Sequence, residues 1–230
     1  MNWSLSCAAV IPCLNEQENI GRVVAGVRNY LQTVVVVDDG SKDATAAQGK
    51  GAGAEILRHE VSGGKGAALQ EGWTILRERG FKWALSLDGD GQHSPEDISA
   101  FFECAQRTSA LLVIGNRMAN AGEMPFVRRF VNRWMSRRLS KATGRMLPDS
   151  QCGFRLMSLD AWSGQMITTN HFQIESEVVV AFIAAGHCVE FVPIRVIYKN
   201  EQSKIHPLRD TVRWFRWYGE IRRSGRFKAR

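Results

Sequence analysis

The segment LDGDGQHSPED, residues 87–97, sets two carboxylates one residue apart, Asp88 and Asp90, with one glycine between them and another after. In a sharply turned loop both can face one crevice. Hard divalent cations seek such oxygen ligands, and Mg2+ or Mn2+ commonly joins one or two carboxylates to substrate phosphates. Gln92 could add an amide oxygen. His93 is either a Mn2+ ligand or, the plainer expectation for a loop histidine, a side chain in solvent. Taken alone, the segment also reads as an acidic turn that caps the next helix.

Two further stretches carry chemistry. VVVVDDGSKDAT (34–45) ends an apolar run in Asp38 and Asp39, which can accept hydrogen bonds from a nucleobase or a ribose. Helix capping is the alternative, and Ser41 or Asp43 would serve it equally well. SGGKGAAL (62–69) combines glycines, which allow close backbone approach, with Lys65, a phosphate-seeking charge at a helix N-terminus. It is not a Walker loop, because the spacing and the Ser or Thr after the lysine are missing.

These residues need elements to hold them. Apolar runs predict strands over 7–11, 33–38, 55–58, 84–87 and 111–115, and helical patterns fit 18–31, 43–52, 66–79 and 95–106. The β-branched run Val34 to Val37 suits burial on both faces of a parallel sheet. Ser94 followed by Pro95 and two acids predicts a helix start, with Ser94 as the cap. The alternation implies a Rossmann-like α/β fold with a mainly parallel central sheet flanked by helices, whose ligands sit at the carboxyl ends of strands. Asn15 and Glu16, Asp38 and Asp39, Asp88 and Asp90, and Asn116 and Arg117 all fall at such ends. No internal repeat or linker interrupts the chain, so one domain is expected over 1–205, followed by a basic amphipathic helix and tail over 206–230.

In this order, IPCLNEQENI, VVVVDDGSKDAT, GGKGAAL, LDGDGQHSPED, VIGNR and DSQCGFRLMS resemble the family 2 glycosyltransferases. The resemblance is closest to the polyprenyl-phosphate type and spans nearly the whole chain, 7–205. It implies a GT-A fold, a nucleotide-sugar donor, and Mg2+ or Mn2+ as cofactor. By position it implies Pro12, Asn15, Glu16 and Asp39 in the nucleoside pocket, with Lys65 at its edge. Asp88 and Asp90 become the DxD pair. Asp90 and Gln92 bind the metal together with Asp88, which lies nearer the ribose or sugar. Arg117 faces the transferring phosphate region. Arg133 and Ser136 match the place that holds an acceptor phosphate, although RRFVNRWMSRRLSK permits more than one register. Asp149, Gln151 and Arg155 border the acceptor side, and Ser203 and Lys204 lie near the donor diphosphate.

The chemistry agrees with these assignments. An inverting transfer leaves a nucleoside diphosphate, whose new charge a metal and Lys or Arg can stabilise where it develops. A hydroxyl acceptor also needs a general base, for which Glu177 or Glu175 in FQIESEVV is available. A lipid phosphate is already anionic and needs only positioning. A helix-terminal charge pair is the bland role for both glutamates. UDP and GDP donors stay open, since Asp39 can accept from either imide N–H. A non-catalytic nucleotide-sugar or membrane-binding module is disfavoured by the nearly full set of polar strand ends.

Charge locates the partners. The net +7 divides into +7 over 126–147, +6 over 206–230 and −6 over the remainder. A mildly acidic body with two basic segments suggests an anionic partner at particular places. Nucleic acid is not expected, because no nucleic-acid fold signature accompanies the charge. On a helical wheel Trp214, Trp217, Tyr218 and Ile221 share one face of the last segment and Arg209, Arg213, Arg216 and Arg223 the other. That pattern suits a helix lying on anionic lipid, or one docked on the domain with its arginines outward. No apolar run approaches the length of a membrane span, no leader is visible, and the five scattered cysteines read as reduced thiols. The expected location is cytoplasmic, peripheral at the inner membrane face.

Overall fold

The computed structural model describes residues 2–197 and 207–225, so Ser203 and Lys204 lie outside the described residues. A one-turn helix, α1 (Trp3–Ser6), leads into β1 (Cys7–Cys13). β1 pairs in parallel with β2 (Val34–Asp38) on one side and β4 (Trp83–Ser86) on the other, and β3 (Glu55–Arg58) extends the sheet beyond β2. Both faces of β1 and β2 are buried, as their unbroken apolar sequences require. The chain runs outward from β1 to β3 and then crosses back to β4. The carboxyl ends of β1 and β4 therefore flank a topological switch point, where open α/β sheets leave a crevice.

Beyond β4 the sheet changes character. β6 (Arg155–Ser158) inserts antiparallel between β4 and β5 (Leu112–Asn116), and β7 (Val189–Pro193) lies parallel to β5, giving the order β3-β2-β1-β4-β6-β5-β7. The five expected strands are present, whereas β6 and β7 were not anticipated. The four expected helices are α2 (Ile20–Arg28), α3 (Thr45–Gly51), α4 (Lys65–Glu78) and α5 (Ile98–Thr108). Ser94 makes no capping hydrogen bond; a 3-10 turn over Pro95–Asp97 leads into α5 instead.

Four helices follow: α6 (Phe126–Thr143), α7 (Leu159–Ser163), α8 (Ile174–Ala184) and α9 (Pro207–Arg223). α8 is buried almost throughout, which accounts for its apolar sequence. Of the two settings that the sequence left open for the aromatic side of α9, a lipid surface and the domain itself, the structure shows the domain. Trp214, Trp217 and Ile221 are only 2%, 5% and 5% exposed and belong to the core. Trp214 packs edge-on to Trp134 of α6, and its Nε1–H donates to Ser176 Oγ of α8 at 2.9 Å. Burying such side chains stabilises by about 1.5–3 kcal/mol each, which a neighbouring protein face provides as well as lipid does. No helix among the described residues is long and apolar enough to cross a membrane.

Candidate active site

Three segments distant in sequence meet at the crevice. Asp88, just past β4, places Oδ1 2.5 Å from Lys65 Nζ at the start of α4. The same ammonium lies 2.7 Å from Glu175 Oε1 in the first turn of α8. Burial would raise the Asp88 pKa, but the Lys65 charge and then His93 outweigh it and hold the carboxyl far below the usual range. Burial would likewise discharge Lys65, yet Asp88 and Glu175 outweigh it and keep the ammonium protonated well beyond neutral pH. Glu175 Oε2, buried, has no hydrogen-bond partner among the described residues. Gly153 makes this meeting possible, since a Cβ there would stand 2.9 Å from both Asp88 oxygens and from Lys65 Nζ.

His93 corrects an expectation. It is buried, not in solvent, with its ring 5.4 Å from that of Phe154 and Nε2 3.6 Å from Asp88 Oδ2. The loop folds inward because residue 93 forms an antiparallel bridge with Val196.

Asp90 is half-buried, and its Oδ1 accepts the Gln92 backbone N–H at 2.9 Å. Its other oxygen has no partner among the described residues. Gln92 Oε1 accepts from Arg128 Nη1 at 3.2 Å, which brings the first turn of α6 to this loop. Among the described residues no three His, Cys, Asp or Glu side chains form a closed cation cage. Mg2+ asks for less: one or two carboxylates, with water and substrate phosphates completing the shell. The oxygen-only donor set of Asp90, Asp88 and Gln92 fits such an ion.

The residues expected to form the nucleoside pocket lie at the ends of β1 and β2. The Asn15 N–H donates to Ser41 Oγ at 2.8 Å, and Asn15 Oδ1 accepts the Lys42 N–H at 2.9 Å. The Glu16 N–H donates to Thr45 Oγ1 at 2.7 Å, so the end of β1, with half-buried Pro12, is laced to the loop after β2. Asp39 is saturated by its own protein. It accepts from Ser62 Oγ at 2.6 Å and from the N–H groups of Gly63 and Gly64 at 2.8 and 2.9 Å. His59 Nδ1 completes the set at 2.7 Å. Burial would raise the Asp39 pKa, but these bonds outweigh it and hold the carboxyl below its ordinary value. A nucleobase can reach this carboxylate only by exchange with the 62–64 loop.

His59 is the latch of that loop, because its Nε2 also contacts Glu71 of α4. The Glu71 hydrogen bond first, and then Asp39, raise the imidazole pKa above its ordinary value against partial burial. A raised folded-state pKa contributes stability that is complete below the unfolded value, about 6.5. That contribution is lost as pH rises through the folded-state pKa. His59→Gln is expected to melt below the wild type at about pH 6 and to converge with it toward about pH 9. A gap in melting temperature that stays constant across that range would show that the imidazole is not charged in the latch.

On the other side of the crevice the 149–155 segment is tied to three elements. Arg117, following β5, grips buried Asp149 with Nε at 2.7 Å and Nη2 at 2.9 Å, and its backbone N–H adds a third bond at 3.1 Å. Burial would raise the Asp149 pKa, but Arg117 outweighs it and keeps the carboxylate ionised. Ser136 Oγ of α6 accepts the Ser150 N–H at 2.9 Å, and Gln151 Nε2 donates to Ser176 Oγ at 2.7 Å. Arg155 is buried and donates to the carbonyls of Cys152, Glu175 and Ser150 at 2.6 to 3.0 Å. Those bonds make it a brace for the segment. Arg133 is exposed, while Asn132 and Ser136 lie on the buried side of α6. Packing shows which side of α6 faces inward. Arg128, Asn132 and Ser136, four residues apart, form the inner stripe. Sequence reasoning did not single out Arg128 or Asn132, and the buried Asn132 Nδ2 has no partner among the described residues.

Glu177 is committed elsewhere. Its carboxylate accepts four hydrogen bonds, from the backbone and hydroxyl groups of Thr168 and Thr169, at 2.7 to 3.0 Å. The loop so held presents the Asn170 carbonyl to the N–H groups of Gly66 and Ala67, at 2.9 and 3.2 Å. Gly66 admits this approach because a Cβ would meet the Asn170 and Thr169 backbone at 2.6 Å. The same contacts show what the N-terminus of α4, where the sequence placed a phosphate-seeking Lys65, meets in this structure. Asn170 takes the first amides, and Lys65 turns to Asp88 and Glu175.

Comparison with known proteins bears on this geometry. The model of the family described as glycosyl transferase family 2 matches residues 8–162. An uncharacterized protein of Methanocaldococcus jannaschii is 30% identical over 195 residues, covering 82% of this chain and 80% of that one. UDP-N-acetylglucosamine–dolichyl-phosphate N-acetylglucosaminyltransferase of Methanococcus voltae is 28% identical over 212 residues, covering 82% and 84%. Among solved structures, glucosyl-3-phosphoglycerate synthase of Mycobacterium tuberculosis, in complex with Mn2+, UDP-glucose and phosphoglyceric acid, superposes with a TM-score of 0.71. That likeness covers 97% of this chain and 80% of the synthase at 17% identity.

Proposed function

The chain belongs to glycosyl transferase family 2 and has the GT-A fold, and on that premise we propose that it moves a sugar from a nucleoside diphosphate to a polyprenyl phosphate. In a single inverting displacement an acceptor phosphate oxygen bonds to the anomeric carbon as the bond to the leaving diphosphate breaks. The electron pair departs with the nucleoside diphosphate. A Mg2+ or Mn2+ ion, held by Asp90 with Asp88 and Gln92, would supply charge stabilisation to that diphosphate. The same fold holds Mn2+ and a uridine nucleotide in the mycobacterial synthase, which supports this use of the DxD loop. Lys65 orients Asp88, and Arg128 orients Gln92. The nucleoside falls to the strip formed by Pro12, Asn15, Glu16 and Asp39 once the 62–64 loop has exchanged. Arg117 and the inner stripe of α6 border the acceptor side.

One observation carries the acceptor class. Both glutamates available as bases are engaged, Glu175 by Lys65 and Glu177 by the 168–169 loop. A carboxylate neutralised by an ammonium is a poor proton acceptor. The reaction then calls for a nucleophile that is already ionised, which a prenyl phosphate is. The dolichyl-phosphate transferase among the relatives supports the same class. The test is transfer from a panel of UDP- and GDP-sugars with Mn2+ to a prenyl phosphate and, separately, to saccharide hydroxyls. Glu175→Gln is expected to retain prenyl-phosphate transfer within about tenfold, whereas loss of a true general base costs about 10²–10⁴-fold. Transfer confined to hydroxyl acceptors, with a loss of that larger size, would replace this reading with a base-assisted one.

A further inference from the structure

We infer that the outer face of α6, together with the exposed edge of α9, is a docking surface for an anionic lipid bilayer. α6 has two unlike sides. Its inner side is buried and reaches the Asp90 loop through Arg128. Its outer side opens with Phe126, Val127 and Phe130, which are 71%, 72% and 62% exposed. α9 adds Val212 and Phe215, each 49% exposed. An apolar slot of about 170 Å³, lined by Phe130, Trp134 and Phe215 among others, joins the two helices. Phe130 and Phe215 meet across this slot, Phe126 and Val127 lie one turn before Phe130 on α6, and Val212 lies one turn before Phe215 on α9, so exposed apolar side chains flank the junction of the two helices, as at an interaction site.

Charge identifies what covers it. Arg133, Arg137 and Arg138 on α6 and Arg216, Arg222 and Arg223 on α9 are exposed around this surface, and α6 contains no acid. Exposed aromatic and aliphatic side chains beside arginines are what an anionic membrane interface binds, by shallow apolar insertion and headgroup attraction. A second copy of this chain fits poorly, because two such faces would oppose their arginines. The aromatic face of α9 on which the sequence placed lipid contact is buried. The surface inferred here is a different one, built mainly from α6. It rests on the acceptor reading for its purpose, since it brings the inner stripe of α6, and with it the crevice, to the bilayer.

The test sediments the full chain with phosphatidylcholine vesicles and with vesicles that also contain phosphatidylglycerol. The wild type is expected to bind the anionic vesicles. The triple variant Phe126→Ser/Val127→Ser/Phe130→Ser is expected to lose about tenfold or more in partitioning. Arg137→Gln/Arg138→Gln/Arg216→Gln should weaken binding and flatten its salt dependence. Should the triple variant lose its cooperative melting transition, Phe126→Glu alone reads the same surface. Wild type that ignores anionic vesicles, or a folded triple variant that binds like wild type, overturns the inference. So does a vesicle-free dimer, seen by light scattering, that the triple variant abolishes. Transfer to a short, water-soluble prenyl phosphate should survive in the triple variant, while transfer to a long polyprenyl phosphate in vesicles falls. Absence of transfer to either acceptor in the wild type would sink the acceptor reading, with vesicle binding still standing as support for the surface.

Discussion

Asp90→Asn is expected to cut sugar transfer by about 10²–10³-fold, the size of losing one preorganised contribution to charge stabilisation, here by loosening the cation that would face the leaving diphosphate. The fold should not notice. Asn keeps an oxygen for the Gln92 N–H, the one hydrogen bond that Asp90 makes among the described residues. The site is half-buried and no ion pair among the described residues is broken, so the melting temperature should move by no more than about 2 °C. What the substitution removes is the negative charge on a carboxylate that keeps one oxygen without a partner among the described residues. Initial rates across a Mn2+ titration, with melting measured on the same preparation, check both halves. Retained transfer with unchanged metal dependence would withdraw Asp90 from the metal and shift that duty to Asp88. Asp88→Asn is the poorer probe, because it also strips Lys65 of a counter-charge and spreads its effect to Glu175.

Why some parts were legible and others were not follows from the range of the interactions. β1, β2 and β4 announce themselves because strands buried on both faces must be continuously apolar, and the polar residues that follow mark the switch point. β6 has no such signal. It is four residues long and opens with Arg155, whose guanidinium is satisfied in the core by two carbonyls of its own segment, Ser150 and Cys152, and by the carbonyl of distant Glu175. The partners of Lys65 lie at Asp88 and Glu175, and that of Arg117 at Asp149, so sequence could nominate the members of the site but not their pairing. Glu177 shows the same limit. Its residue type suits a base, and only the fold shows that two threonines have claimed it. For α9 the wheel placed the aromatic residues on one face correctly. A wheel says which face is apolar and never what covers it. α6 and α8 cover this one, and the exposed apolar surface passed to α6, where a run of arginines had drawn attention to charge alone.

Asp149→Ala is expected to cost about 3–5 kcal/mol of folding free energy, the range for breaking a buried ion pair by removing one partner. Against a total of about 5–15 kcal/mol for a typical domain, that is a large share. The carboxylate is fully buried and accepts from Arg117 Nε, Arg117 Nη2 and the Arg117 and Gln151 backbone N–H groups. Its loss removes two hydrogen bonds and the paired charge from the Arg117 guanidinium and leaves two backbone amides without this acceptor. The pH dependence has a definite sign. The Asp149 pKa is depressed in the fold, so the stabilisation is present above the unfolded value, about 3.9, and is lost as pH falls through the folded-state pKa. The gap between wild type and variant should therefore be flat from about pH 5 to 8 and close only in stronger acid. Urea melts at several pH values read it directly. The double variant Arg117→Met/Asp149→Leu separates structure from function, since a neutral, well-packed pair often restores what a broken ion pair loses. Recovery of stability without recovery of transfer is the expected result if Arg117, which follows β5, borders the acceptor as proposed. Recovery of both would reduce the pair to a brace for the 149–155 segment.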